Sequence, residues 1–389
     1  MNNWYASFHL LTLLCSIGLL SACTQQTVLV VNNNTDLPRN KEMIETSLPK
    51  QISIPFVLLD DEENEVPYQI TYDNKLIFQS TITSHHSRQY ILKEGQPKRI
   101  ESKVFGQQIK WRKDDFAWEN NCIAYRLYGP ALQESGEKAY GYDIWVKNTS
   151  DLIVAKRYKL EQDKHLSYHQ NHGNGLDFYK VGPTLGAATG ALLDAKGAIV
   201  YPYCYKTYEI LDNGPLRLTV RFTYPTFSFD NEKQITETRI LSIDAGTFFN
   251  RMQINYQSLS NTHPYLVGIT KHKNTSSLDD AYIAKNKTFI SYANPKSKKE
   301  GQIFVSAIYP KGADRANTKI FTKDEQKERH SEGYVEIQTS YQPNQTLTYY
   351  WGAGWSKYRF PDFKSWIQYT AQSTQQLQQP LQVTFKSES

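Results

Sequence analysis

The sequence is short of the signatures that mark common chemistries. It contains no Gly-x-Gly-x-x-Gly, no phosphate-binding P-loop, no Gly-x-Ser-x-Gly elbow and no Cys-rich zinc pattern. Nucleotide chemistry and serine hydrolysis are therefore poor matches. Only 4 of its 389 residues are Cys and only 3 are Met. No tandem repeat of roughly 20 to 50 residues recurs, which argues against a propeller or solenoid. Long apolar runs are also scarce, with one at the extreme N-terminus. A composition of 39% hydrophobic and 21% charged residues excludes both a disordered chain and a polytopic membrane protein.

What is abundant is aromatic: 27 Tyr, 17 Phe and 7 Trp, a composition that favours sheets. Apolar residues take every second place in Leu216–Thr223, leaving Arg217 and Arg221 on the other face, and again in Phe248–Tyr256. Ile123–Tyr128 and Tyr140–Val146 behave likewise, and Asp194-Ala195-Lys196-Gly197 is a hairpin turn into Ala198–Tyr201. The best helix follows Pro361, with Asp362 as cap and Phe363, Trp366 and Tyr369 at three-residue spacing. It fades before Pro380, after which Leu381–Phe385 returns as a strand. The expected fold is all-β, a large antiparallel β-sandwich with few short helices, forming one catalytic domain over residues 51–389.

The N-terminus reads as an address. An apolar core from Leu10 to Leu20 runs into Leu20-Ser21-Ala22-Cys23, the cleavage pattern of a bacterial lipoprotein. The core is too short to cross a bilayer comfortably, although no Lys or Arg precedes it. Residues 1–22 are then a signal peptide, Cys23 carries lipid, and residues 23–50 hold a tether and a first strand, Val28–Val31. Thr24 in place of Asp points to the outer membrane, periplasmic face, with the lipid as the sole membrane contact. Cys122 and Cys204 remain, either as a disulfide or as two buried thiols. The formal charge of +5, 44 basic against 39 acidic residues, suits an acidic sugar better than nucleic acid.

Tyr168–Gly186 concentrates glycine, proline and histidine, and three of the nine histidines (His165, His169 and His172) fall within eight positions. Such a shaped loop on a rigid sheet tends to carry function. Three readings stay open. His169 and His172 could be acid/base groups, with Tyr179 as proton partner and Asp177 orienting an imidazole. His169, His172 and Asp177 could instead hold a divalent metal, although no cofactor is the preferred reading. Or the loop residues satisfy backbone groups only. A second segment, Trp111-Arg112-Lys113-Asp114-Asp115-Phe116-Ala117-Trp118-Glu119-Asn120-Asn121, leads into Tyr125-Arg126-Leu127-Tyr128. It offers a sugar platform in Trp118 and a carboxylate clamp in Arg126, or else an amphipathic sheet edge. Arg221 and the pair Trp351 and Trp355 extend the candidate binding set.

These two segments, with Tyr140–Thr149 and Leu211–Phe227, resemble a family of lipoproteins and secreted proteins encoded in bacterial polysaccharide-utilisation clusters, strongly over about residues 100–260. The resemblance implies a mutarotase-like β-supersandwich. The nearest activity it implies is that of an ulvan oligosaccharide dehydratase, which eliminates water from a terminal glucuronate or iduronate to leave a 4,5-unsaturated uronic acid. It transfers no catalytic residue. Chemistry sets the requirements: neutralise the sugar carboxylate, take the C5 proton, and protonate the departing C4 hydroxyl. The residues expected in those roles are Arg126, His169 or His172, and Tyr179. The rival expectations are a noncatalytic acidic-glycan-binding lipoprotein using Trp111, Trp118, Trp351 and Trp355, or a polysaccharide lyase or glycoside hydrolase.

Overall fold

A strand with alternating polarity can bury one side, and Arg217–Thr223 does so: Leu218, Val220 and Phe222 turn into the core and the arginines to the other face. In the computed structural model, which describes residues 27–50, 52, 54–273 and 280–387, this strand belongs to a nine-stranded antiparallel sheet. Its neighbours are Thr207–Asn213 and Glu232–Asp244, followed by Phe249–Gln257, Leu347–Trp355, Ile303–Ile308, Phe289–Ala293 and Ala281–Ile283; the ninth, Phe227–Phe229, pairs with Glu232–Asp244 outside this row. The expected signal peptide and Cys23 lie outside the described residues. Among those described, no helix is long and apolar enough to cross a membrane.

Facing this sheet is a second layer made of two five-stranded sheets. One contains Val104–Ile109, Asp115–Asn120, Ala124–Leu127, Asp143–Lys147 and Gly175–Asp177. The other contains Ile199–Val200, Ala187–Leu193, His263–Lys271, Gly333–Tyr341 and Arg315–Ile320. A parallel bridge between Tyr142 and Gly186 joins them. The layers meet through aromatic rings: Trp118 against Trp351, Tyr142 stacked on Trp351, and Tyr265 near Tyr349. The fold is thus all-β, as composition and alternation led us to expect.

Two features depart from expectation. Residues 27–94 and the last strand, Gln382–Ser387, form a smaller sandwich with its own apolar core of Leu29, Val31, Ile44, Leu58, Phe78 and Leu92. The strands Arg39–Ser47 and Lys75–Ile82 pair directly, so no packing boundary separates residue 50 from residue 51. The second is a helix, Val154–Lys164, which packs Val154 and Tyr158 on the outer face of the first five-stranded sheet. The expected C-terminal helix spans Phe363–Gln378 with the Asp362 capping box in place. Cys122 and Cys204 are both buried free thiols.

Candidate functional site

On the outer face of the first five-stranded sheet, polar residues occupy positions where the inward residues are apolar. Asp115, Ala117 and Glu119 face outwards while Phe116 and Trp118 enter the core. The register then sets Ala117, Arg126 and Asp143 side by side across three strands. Arg126 is buried here among three carboxylates. Its Nε donates to Asp143 at 3.0 Å and Nη2 to Asp177 at 2.8 Å, while Nη1 lies 3.7 Å from Asp115. Tyr128 donates to Asp143 at 3.2 Å.

One guanidinium cannot balance three buried carboxylates, so the cluster retains protons that exposed aspartates would lose. Burial raises the Asp115 carboxyl to about 7, against the pull of Arg126 and Arg112. Asp177 is held well above the ordinary carboxylate range, by burial first and then by the charge of Asp143.

His169 stands at the rim. Its Nδ1 lies 3.1 Å from the Asp177 carbonyl oxygen and 3.6 Å from the Asp177 carboxylate. The backbone carbonyl can only accept, which assigns the proton to Nδ1 and leaves the lone pair on Nε2. The side chain is 51% exposed, so that lone pair is open to a ligand. The ring packs on Tyr168, whose hydroxyl accepts from Arg112 Nε at 2.8 Å and Arg126 Nη1 at 3.2 Å. Arg112 is half-buried, and its terminal nitrogens have no partner among the described residues. Beside it Trp111 is 43% exposed, edge-on to Tyr158.

The loop is pinned from several directions. Gly175 adopts φ +113°, and a Cβ there would sit 1.9 Å from the Val146 carbonyl oxygen. Asn171 accepts from the N–H groups of Gly173 and Gly175, at 2.9 and 3.3 Å, and Arg157 donates to the Gln170 carbonyl.

The structure therefore brings His169, Asp177 and Arg126 together, but not the other expected residues. His172 is turned onto the Ser167 carbonyl at 3.0 Å, as a latch within the loop. Tyr179 is buried against the edge of His272, its phenol pushed up by burial, and no hydrogen bond or ring contact joins it to His169 among the described residues. Trp118 and Trp351 are core residues with no face for a sugar; the indole of Trp118 donates to Asn250 at 2.8 Å. Arg221 pairs with Glu209 at 2.5 Å on the central sheet. Arg126 is buried and engaged by Asp143, Asp177 and Tyr168, so it organises the site from beneath rather than facing a substrate carboxylate. The cation with unpartnered nitrogens among the described residues is the half-buried Arg112. Asp115, Asp143 and Tyr168 were missed; the signal was acids at alternate positions in otherwise apolar strands. For the metal alternative, no group of three or more His, Cys, Asp or Glu among the described residues is placed to hold an ion.

A family model described as "Domain of unknown function (DUF4861)" matches residues 31–383. A protein of Formosa agariphila described as "Uncharacterized protein P7" is 25% identical over 416 residues, covering 97% of this chain and 99% of that one. Among solved structures, an alpha-mannosidase and a glycosyl hydrolase family 38 protein, both from Enterococcus faecalis, each align with 9% identity and a TM-score of 0.48. They cover 94% of this chain, which spans 46% and 47% of theirs, about half their length.

Proposed function

We propose, on the premise that the chain belongs to the DUF4861 family, that it is a carbohydrate-active carbon–oxygen lyase that removes water from the non-reducing-end uronate of acidic oligosaccharides, ulvan fragments among them. The observation that carries this reading is the His169–Asp177 pair. An exposed imidazole has its lone pair outward and its Nδ1 fixed by the backbone carbonyl of Asp177, a residue whose side chain a buried arginine holds in place.

In the proposed reaction Arg112 neutralises the sugar carboxylate, which otherwise opposes a developing negative charge at C5. His169 Nε2 takes the C5 proton. The C5–H electron pair becomes the second bond of C4=C5, and the C4–O bond breaks. The imidazolium returns its proton to the departing oxygen, so one water leaves and His169 is restored. This assignment takes the acid role from Tyr179, which burial withholds, and gives it to the same histidine. Trp111 supplies an apolar face for the ring. The reading needs no metal. It places the enzyme on the periplasmic face of the outer membrane through the lipid on Cys23, in contact with no nucleic acid.

The test is mass spectrometry of oligosaccharides with saturated uronate ends, followed in parallel by the ultraviolet absorbance of a conjugated uronate. Loss of one water from an otherwise intact chain is expected, and His169→Ala should reduce the rate by about 10²–10⁴-fold. Arg112→Gln should raise KM and lower kcat, whereas His172→Ala should keep most of the activity. Full activity in folded His169→Ala overturns the assignment. Binding with no change in mass would leave a glycan-binding protein.

A further inference from the structure

On the opposite side of the molecule, the small sandwich, the outer face of the central sheet and the helix Phe363–Gln378 enclose a cleft of about 580 Å³. We propose that this cleft is a second, noncatalytic site for an anionic oligosaccharide, one bearing carboxylate or sulfate groups. The ligand class rests on the acidic-sugar reading above; the location rests on the cleft alone.

Its charges do not cancel. Four cations line it, Lys41, Arg217, Arg251 and Arg359, with three acids, Glu42, Glu45 and Asp244. The acids are already engaged. Arg217 is bound by Asp244 at 2.5 Å and by Glu45 at 2.5 Å, and Arg39 holds Glu42 at 2.9 Å. Arg251 gains only a 3.5 Å approach to Glu45. Lys41 and Arg359 have no carboxylate partner among the described residues, so the free potential of the cleft is positive.

Those two cations share a second property. Lys41 has φ +48° and Arg359 φ +64°, a left-handed backbone conformation uncommon for residues other than Gly, Asn and Asp. Positive-φ residues of this kind collect at functional sites, where the surrounding fold holds them in place. Here they put the two unpaired cations on the wall of the same cleft.

The remaining lining suits a sugar. Cross-strand register sets Ser242, Arg251 and Tyr350 in a row on the outer face, giving a hydroxyl, a cation and an aromatic ring. Gln372 and Gln376 contribute amides from the helix. Aromatic faces for C–H groups, amides for hydroxyls and spare cations for acid groups match an acidic oligosaccharide better than a free small anion.

The experiment follows amide hydrogen exchange as a sulfated, glucuronate-containing tetrasaccharide is added. Inorganic sulfate, free glucuronate and cellotetraose serve as separate arms. Saturable protection is expected at residues 40–45 and 369–377, and it should persist in His169→Ala, which disables only the proposed catalytic site. In Lys41→Asn/Arg359→Asn, which keeps a left-handed backbone accessible and removes both charges, binding should weaken at least tenfold. Protection by sulfate or glucuronate alone at equal affinity would reduce the site to a simple anion site, and equal protection by cellotetraose would remove the role of charge. Either outcome overturns the proposal, as does unaltered binding in the double variant or no protection in these segments. Absence of water loss with protection intact would instead count against the proposed function alone.

Discussion

Asp115 is where burial and charge oppose each other most directly. Its folded-state carboxyl lies at about 7 because burial disfavours the anion more than Arg126 and Arg112 favour it. An unfolded aspartate titrates near 3.9, so between roughly pH 4 and pH 7 the folded state binds more protons than the unfolded state. Stability must fall as pH rises through that window, then level off. The difference of about three pKa units corresponds to a loss of up to about 4 kcal/mol at neutral pH. Asp115→Asn imitates the protonated form at every pH. Its denaturation midpoint should therefore exceed that of the parent by a margin that grows from pH 4 to pH 7. Urea titrations at several pH values would show this, and parallel curves for the two proteins would contradict it. The opposite substitution strategy targets the same balance: Arg126→Met leaves the carboxylates uncompensated and should cost about 3–5 kcal/mol, with the larger loss at pH 8 than at pH 5.

The helix Val154–Lys164 and the following loop depend on a residue in a different strand. Glu119 accepts from the Ile153 and Val154 N–H groups at 3.0 and 2.8 Å and from Lys147 Nζ at 2.6 Å, all in a buried setting. It serves as the N-terminal cap that the helix lacks in its own sequence. Glu119→Gln should therefore destabilise by about 3–5 kcal/mol, because Lys147 is left charged and buried. Faster amide exchange from Val154 to Asp177 and a fall in turnover should accompany it, although Glu119 touches no substrate; unchanged exchange would refute the capping role. The remote cap also explains why this helix was illegible. Phe363–Gln378 carries its cap, Asp362, and an aromatic spacing within its own segment, and was readable. Alternation likewise revealed strands such as Arg217–Thr223, but not which layer each face would meet. Trp118 looked like a sugar platform, yet it shares its strand face with Phe116 and enters the core, while the acids on the other face assemble the candidate site. Arg126 looked like a free clamp because its three partners are spread over residues 115, 143 and 177 and converge through strand register alone.

At the scale of the whole molecule, the two sandwiches meet through buried hydrogen bonds beside a small apolar contact, in which Ile77 enters the large core and Met43 packs against it, and the polar set governs how they come apart. Gln69 is buried at the junction, where its Oε1 accepts from the N–H groups of Leu216 and Arg217 at 2.8 and 2.9 Å and its Nε2 donates to the Arg217 carbonyl at 3.3 Å. Gln79 donates to the Ala245 carbonyl at 2.9 Å, and the Tyr72 N–H to Asp212 at 2.8 Å. Most of each apolar core lies within one sandwich, so hydrophobic burial stabilises the units largely separately, while these hydrogen bonds and the Ile77 contact couple them. Removing the Gln69 amide strands two buried N–H groups, at about 1–3 kcal/mol for each group left unsatisfied, while the Arg217 carbonyl keeps the Gly214 N–H at 3.0 Å. Gln69→Ala should therefore uncouple the junction without dissolving either core. In calorimetry the small sandwich should melt first, as a separate transition, and amide exchange should quicken across residues 27–94 while residues 104–177 hold their protection. Because Lys41 and Glu45 belong to the small sandwich and Arg251 and Tyr350 to the central sheet, loosening the junction should also widen the cleft between them and weaken tetrasaccharide binding there. The His169 site, built wholly on the large sandwich, should keep its turnover at temperatures below the first transition. A single unshifted transition in Gln69→Ala would show instead that the two cores unfold as one unit and that the cleft is held rigid by contacts other than these.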